Sequence, residues 1–281
     1  TWNTDALSEG GTLRQTTAYY RRTLFVPQQW QGRRLFIRFG GVMNSADVFV
    51  NGAHVGNHLG GRTAFAFEIT ERVQYGTENT LLVEVSNAYR SDILPTSSEQ
   101  NHYGGIYRDV ELLVTPMDII SPLYYGSEGV LVEQREVSRD KASGVVKVYL
   151  STRSVDHTTL TARVVDEDGY EVMTRTVKVS KISPERAIEV PFEIPHPQLW
   201  SLEKRTMYRV EVTLGDVKNP LDRMVVYTGL RSVTINDDNR LCINGVPVDV
   251  RGVSLPHDRE GYGTAISRNH IAEDFVTMRD M

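Results

Sequence analysis

One cysteine, Cys242, stands in 281 residues. No disulfide can form within the chain, which excludes a small cross-linked scaffold and leaves the redox compartment open. Cys242 lies between Leu241 and Ile243 in a strand-like run, so it reads as a small core residue rather than a nucleophile. No run approaches the ~18 consecutive apolar residues that a membrane helix needs, so no membrane partner is expected. Positive charge is also short: 31 Lys and Arg against 36 Asp and Glu give a formal net charge of −5. A phosphate-tracking surface needs a basic footprint, so nucleic acid is not an expected partner. The start, Thr1-Trp2-Asn3-Thr4-Asp5, is polar, has no signal-peptide pattern and is not an initiating Met. The chain therefore reads as trimmed or processed, and cytoplasmic, periplasmic and secreted compartments all stay open.

Catalytic and metal motifs are equally sparse. The seven histidines include no helical H-x-x-x-H pair; His54 and His58 flank Gly56 in a loop-like stretch and make a poor zinc site. No Gly-x-Ser-x-Gly elbow supports an esterase triad. Gly104-Gly105 is not followed by a helical pattern, which argues against a phosphate loop. No metal site and no cofactor is expected from these residues. Trp2, Trp30 and Trp200 are candidates for stacking on sugars, but Trp200 follows Pro197 and Leu199 in what reads as a packing corner.

What is present is strand after strand. Hydrophobic residues make up 40% and charged residues 24%, an ordinary globular balance. The length suits about two domains and part of a third. Alternation of period two marks Tyr19–Phe25, Arg34–Phe39, Ala46–Val50, Phe65–Ile69, Thr80–Val85 and Ile106–Val114. Asn51-Gly52 predicts a tight hairpin, because both residues tolerate positive φ. Pro116 and Pro122 flank a connector. A second set follows at Val145–Leu150, Leu160–Val165, Glu171–Val179, Ala187–Ile194, Tyr208–Leu214 and Arg223–Thr228, with Lys141–Gly144, Asp166–Gly169 and Gly215-Asp216 as turns. That spacing predicts an immunoglobulin-like sandwich without the disulfide.

Near the end the pattern changes. Val233–Ile235 and Leu241–Ile243 read as strands, and Asn244-Gly245 as a second hairpin turn into Val246–Val253. Ser267 then caps a helix with Ile271, Phe275 and Met278 on one stripe. Strand, loop and helix together read as the opening of a β/α unit, whose second parallel strand would lie beyond Met281. Without neighbours, the stripe is expected to pack on the second sandwich or to drive self-association into a homo-oligomer.

Several motifs carry a family resemblance. They are Tyr20–Pro27, Arg38–Val42, Ala46–Gly52 with Val55-Gly56, Gly60-Gly61 with Phe65 and Phe67, and Glu78–Leu81. The most distinctive is Tyr103-Gly104-Gly105-Ile106-Tyr107-Arg108-Asp109-Val110; Pro197–Ser201, Gly229–Arg231 and Leu241–Val253 follow. In this order the set resembles glycoside hydrolase family 2, most closely its β-galactosidases, with β-glucuronidases and β-mannosidases as alternatives. The resemblance implies an all-β start: a sugar-binding jelly roll over residues 1–117 and an immunoglobulin-like sandwich over 118–229. Residues 230–281 would open a (β/α)8 catalytic barrel, and the rest of that barrel would be a partner within the same protein.

Family members are retaining glycosidases, which use two carboxyl groups about 5–5.5 Å apart, one as acid/base and one as nucleophile. In the family both are Glu residues on later barrel strands, so no catalytic residue is expected within this chain and it should not hydrolyse glycosides alone. Mg²⁺ or Na⁺ sites of some relatives use mostly barrel residues.

The same resemblance nominates substrate contacts for the whole enzyme. The acidic position five residues before the Gly-Gly pair helps bind the sugar in β-galactosidases, and here it is Glu99, one methylene longer than the usual Asp. Glu99 otherwise reads as part of a solvated polar loop. Asn101 and His102 are neighbouring candidates. Arg251 and His257 fall just after the first barrel strand, where loops line barrel active sites. Pro256 stands at the usual His position, so His257 marks a one-residue shift or a lost contact; Arg251 lines the pocket or packs against a later carboxylate. Arg108-Asp109 reads as a loop anchor. A stand-alone carbohydrate-binding or scaffold protein is the alternative from another class.

Overall fold

A computed structural model describes residues 16–94, 103–154, 157–180, 186–255 and 258–281. The chain divides into two compact units, one of Thr1–Val114 with Ser254–Met281 and one of Thr115–Val253. Each is an all-β sandwich at its core.

The first unit contains β1 (Thr17–Val26), β2 (Arg34–Phe39), β3 (Val42–Met43), β4 (Ser45–Val50), β5 (Ala53–Leu59), β6 (Phe65–Glu68), β7 (Thr77–Ser86), β8 (Gly105–Ile106), β9 (Val110–Thr115) and helix α1 (Arg268–Asp280). One sheet has the order β1-β7-β4-β5, the other β6-β2-β9, and β3 pairs with β8. Burial alternates along β4 and β7, placing Val48, Val50, Leu81, Val83 and Val85 on the inner face. They meet Leu35, Ile37 and Phe39 of β2 in one core. Asn51 and Gly52 have φ of 51° and 81° and join Val50 to its partner Ala53, as the Asn-Gly pair predicts. Arg34 is buried at the start of β2, where Glu68 neutralises it through a fork of two bonds (Nε–Oε1 3.0 Å, Nη2–Oε2 2.7 Å).

The second unit contains β10 (Ile119–Ile120), β11 (Val130–Val137), β12 (Lys141–Val148), β13 (Leu150–Ser151), β14 (His157–Val165), β15 (Glu171–Ser180), β16 (Ile188–Pro195), β17 (Tyr208–Gly215), β18 (Pro220–Thr228), β19 (Val233–Ile235), β20 (Leu241–Ile243) and β21 (Val246–Pro247). Sheets β11-β12-β16 and β15-β14-β17-β18 enclose a core of Val146, Val148, Leu160, Val190, Val212 and Leu214, among others. Cys242 is buried in β20. The two separate landmark motifs of this unit meet in space. Trp200 N–H donates to Leu230 O at 2.9 Å, and the Arg231 guanidinium lies 4.7 Å from the Trp200 ring centre. Trp200 is thus a packing corner.

Several expectations change. Ile106–Val114 is not one strand: Tyr107 turns inward between β8 and β9 and is buried. His54 and His58 lie in β5, not in a loop, and Ala53–Leu59 pairs along β4. Lys141–Gly144 is strand rather than turn; the turn is at Ser138, whose N–H donates to Lys141 O. Gly144 misleads because its role is closeness: a Cβ there would collide with Glu133 O and come 2.9 Å from the Phe192 ring. Val130–Val137 is a strand that the sequence pattern left unmarked. The strand expected over Val246–Val253 survives only as Val246–Pro247. Residues 248–255 have no ladder, and Val250 and Val253 are exposed, since a buried barrel strand needs neighbours on both sides and none is present among the described residues. Helix α1 forms as expected, capped by Ser267, whose Oγ accepts from His270 N–H. Phe275 on its stripe is exposed.

Replacing Gly144 by Ala pushes the new methyl into backbone, so Gly144→Ala should destabilise the second unit by about 1–3 kcal/mol, typical of overpacking. Chemical denaturation checks this; an unchanged midpoint would contradict the packing described.

Candidate functional site at the glycine corner of the first sandwich

Three short stretches converge at one corner: the β2–β3 turn, the loop after β5, and the Tyr103–Asp109 segment. Their meeting depends on absent side chains. A Cβ on Gly61 would run into Met43 Sδ, and one on Gly105, at φ 97°, into the Tyr20 hydroxyl. Tyr107 then reaches across, and its buried hydroxyl donates to Gly61 O at 2.7 Å. Asn44 is buried beside Gly61; its N–H donates to Ser86 O at 2.8 Å and its O accepts from Gly60 N–H at 2.9 Å. Asn87 Oδ1 accepts from Thr16 N–H at 2.8 Å. Gly40 N–H donates to Asp109 O at 2.9 Å, and Arg108 Nη1 to Gly40 O at 3.4 Å. Arg108-Asp109 is therefore an anchor for the turn.

The same corner reaches the C-terminal segment of this unit. Buried Tyr103 donates its hydroxyl proton to Asp258 Oδ2 at 3.1 Å, across 155 positions of sequence. Gly263 packs so closely on the Tyr103 ring that a Cβ would sit 3.0 Å from it. Arg259 ties the following loop to α1 through Glu273 at 2.9 Å and Asp274 at 3.5 Å. Tyr262 meets the His270 ring edge-on at 4.6 Å.

Glu99, Asn101, His102 and His257 lie outside the described residues. Their immediate neighbours are informative: Tyr103 follows His102, Asp258 follows His257, and Tyr103 and Asp258 are hydrogen bonded. Arg251 is exposed in the other unit, with no ion pair among the described residues. Sequence reasoning passed over the Tyr103–Asp258 pair. Its signal was faint: a tyrosine at the head of the Gly-Gly motif and an acid in the loop after a predicted strand.

The corner offers a phenol, a carboxylate and amides, groups that bind hydroxyls. Among the described residues no cluster of three His, Cys, Asp or Glu is placed to hold a metal ion. No helix of the described residues is long and apolar enough to cross a membrane. On β5, His58 stacks over Phe65 at 4.1 Å and meets Thr63 Oγ1 at 3.1 Å. Burial there holds its imidazole below the usual pKa, against the opposing effect of its hydrogen bond with Gly60.

Residues 11–116 match the sugar binding domain of the glycosyl hydrolases family 2, and residues 131–231 match that family's second model. The chain belongs to glycoside hydrolase family 2. A β-glucuronidase from Bacteroides fragilis is 38% identical over 285 residues, covering 100% of this chain and 41% of that protein. A β-galactosidase from Thermoanaerobacter pseudethanolicus is 28% identical, covering 84% of this chain and 31% of its own length. In structure, the Bacteroides uniformis β-glucuronidase 2 solved covalently bound to cyclophellitol-6-carboxylate aziridine superposes with a TM-score of 0.90 at 33% identity. It covers 99% of this chain and 34% of that one. This family 2 chain thus spans roughly three to four tenths of these relatives.

Two outcomes follow. Tyr103→Phe deletes one partly buried hydrogen bond, worth about 1 kcal/mol, and should speed amide exchange across residues 258–280 while sparing β4 and β7. Protection unchanged in both regions would contradict the link. His58, whose folded pKa lies below 6.5, resists a proton that the unfolded chain accepts. Stability should therefore fall as pH drops through and below about 6.5, and His58→Gln should flatten that part of a melting-temperature profile. Parallel profiles for the two proteins would contradict it.

Proposed function

We propose that this chain is the non-catalytic part of a retaining glycosidase that removes terminal β-linked sugars. The observation that carries the reading is the ordered pair of family 2 matches, the first to a sugar binding domain, joined to the Tyr103–Asp258 contact. In this reading residues 1–117 form the sugar-binding sandwich, 118–229 the immunoglobulin-like support, and 230–281 the entry to a catalytic barrel completed by further chain. Glu99, Asn101, His102, His257 and Arg251 contribute to the wall of the pocket. The hydrogen bond between Tyr103 and Asp258 supports this reading, because it joins the residue after His102 to the residue after His257. A carboxylate such as Glu99 accepts protons from two adjacent sugar hydroxyls and so orients the ring.

The bond-breaking step needs two carboxyl groups, an acid/base and a nucleophile, on opposite sides of the anomeric carbon. The resemblance assigns both to later barrel strands. The chain by itself then binds or frames a sugar but does not cleave it, and any Mg²⁺ or Na⁺ belongs to the completed enzyme. A glucuronide is favoured as a second reading of the sugar by the 38% identical relative named a β-glucuronidase, against the galactoside suggested by the Gly-Gly-Ile-Tyr-Arg-Asp-Val motif.

The test uses p-nitrophenyl β-D-galactoside and β-D-glucuronide. The 281-residue chain should release no nitrophenol above buffer. A longer protein containing the barrel should release it from one of the two, with the β-anomer as first product. Turnover by the short chain that disappears in Glu99→Gln would overturn the assignment.

A further inference from the structure

His58 stands where the aromatic core of the first sandwich meets the glycine corner. Its ring lies nearly parallel to Phe65, with centres 4.1 Å apart and planes 15° from each other. Phe65 is in turn stacked with Phe39 at 4.8 Å and 14°. Exposure rises along these three rings, from 0% at Phe39 to 5% at Phe65 and then to the half-buried His58. The imidazole is thus seated on fixed core side chains.

The loop after β5 closes around its edge. His58 Nε2 is 3.1 Å from Thr63 Oγ1, and the ring also hydrogen bonds the backbone of Gly60. The same loop carries the corner on its other side. Gly60 N–H donates to Asn44 O at 2.9 Å, and Gly61 O accepts from the Tyr107 hydroxyl at 2.7 Å. Two consecutive glycines therefore sit between a titratable ring and buried Tyr107. Glycine has little conformational preference of its own, so contacts from both sides set the shape of this loop.

A proton on the ring finds little support. Across the ladder, β4 places Ala46 opposite His58, and the neighbouring Asp47 is 3.1 Å from His54. On β6, Phe65 and Phe67 are uncharged and Glu68 is engaged by Arg34. At the corner, Met43 and Asn44 are uncharged, and the charged residue of the loop itself is the cation Arg62. Among the described residues no carboxylate pairs with His58. The Phe65 face and the Gly60 bond favour an imidazolium, but its loss of water is the larger effect. A protonated ring regains that water by leaving the stack, and its bonds to Gly60 and Thr63 go with it.

We propose that His58 is the positioning residue of the glycine corner: neutral, it braces the Gly60-Gly61 loop beneath Tyr107; protonated, it leaves the Phe65 stack and frees that loop. A pH-dependent stability needs only that unfolding releases the ring; here the corner opens while both sheets stay folded. In the glycosidase reading this makes the pocket wall firm at neutral pH and loose in acid. The device itself needs neither sugar nor barrel, so its failure would leave that reading untouched.

Amide exchange and histidine titration by NMR on the 281-residue chain test it. Corrected for intrinsic exchange, protection of the Gly60 and Tyr107 amides should fall about tenfold between pH 7.5 and 5. At every pH these two should exchange at least about tenfold faster than Val48 and Val83 in the ladder between β4 and β7, the mark of an opening short of global unfolding. The His58 ring signals and the Gly61 amide shift should share one inflection. His58→Gln should abolish the fall in protection, whereas His54→Gln should leave it. Any of three results would overturn the assignment: corner amides no less protected than Val48 and Val83, the same pH course in His58→Gln as in the unaltered chain, or loss of the fall in His54→Gln. Separate inflections for His58 and Gly61 in the unaltered chain would also overturn it, and that measurement decides even where His58→Gln does not fold.

Discussion

Close approach of backbone at one corner governs the first unit. Gly61 and Gly105 sit where a single carbon would collide with Met43 and with Tyr20. Because neither carries that carbon, β3 can pair with β8, Tyr107 can bury its ring against the β2–β3 turn, and its hydroxyl can close on Gly61 O. The corner is then rigid enough to hold Tyr103 in place, and Tyr103 in turn holds Asp258. A steric constraint is converted into the position of a polar pair.

Where ladders stop, polar side chains take over the backbone groups. Asn79 accepts from Gln74 N–H and donates to Gln74 O, holding the turn before β7. Asp118 receives the amides of Arg153 and Ser154 at 2.8 and 2.9 Å. Gln134 spans to the segment after β18, donating to Gly229 O and accepting from Arg231 N–H, both at 3.1 Å. Asp222 accepts from Ile120 N–H at 2.8 Å, although burial raises its carboxyl pKa and disfavours the charge that makes it a good acceptor. Each side chain replaces ladder bonds that an irregular connection cannot make, and among the described residues Asn44 Oδ1, Thr206 Oγ1 and Thr264 Oγ1 are the buried side-chain atoms left without a hydrogen-bond partner.

Local chemistry was legible in the sequence; distance was not. Both Asn-Gly pairs form the hairpin turns their positive φ allows, and the Ser267 cap starts its helix. Alternation found most strands because one face of each is buried. It failed where another rule dominated. Gly144 looked like a turn residue, but it serves close packing between a bulged neighbour and Phe192. Tyr107 looked like part of a strand, but its ring leaves the ladder for the corner. Val250 and Val253 looked like barrel strand, but a strand exists only where a neighbour accepts its bonds. Of the nominated contacts, only Arg251 lies among the described residues, exposed; the pair that links the flanks of the others spans 155 positions and leaves no local trace.

Division of labour explains this uneven legibility. A sandwich positions loops through burial, and burial writes a periodic signal; a pocket wall needs only one or two groups at the right place, and those follow no period. The first unit carries both kinds of information: regular β4 and β7 in the middle and the glycine corner at the site. At the corner, side chains are absent so that backbone can pack.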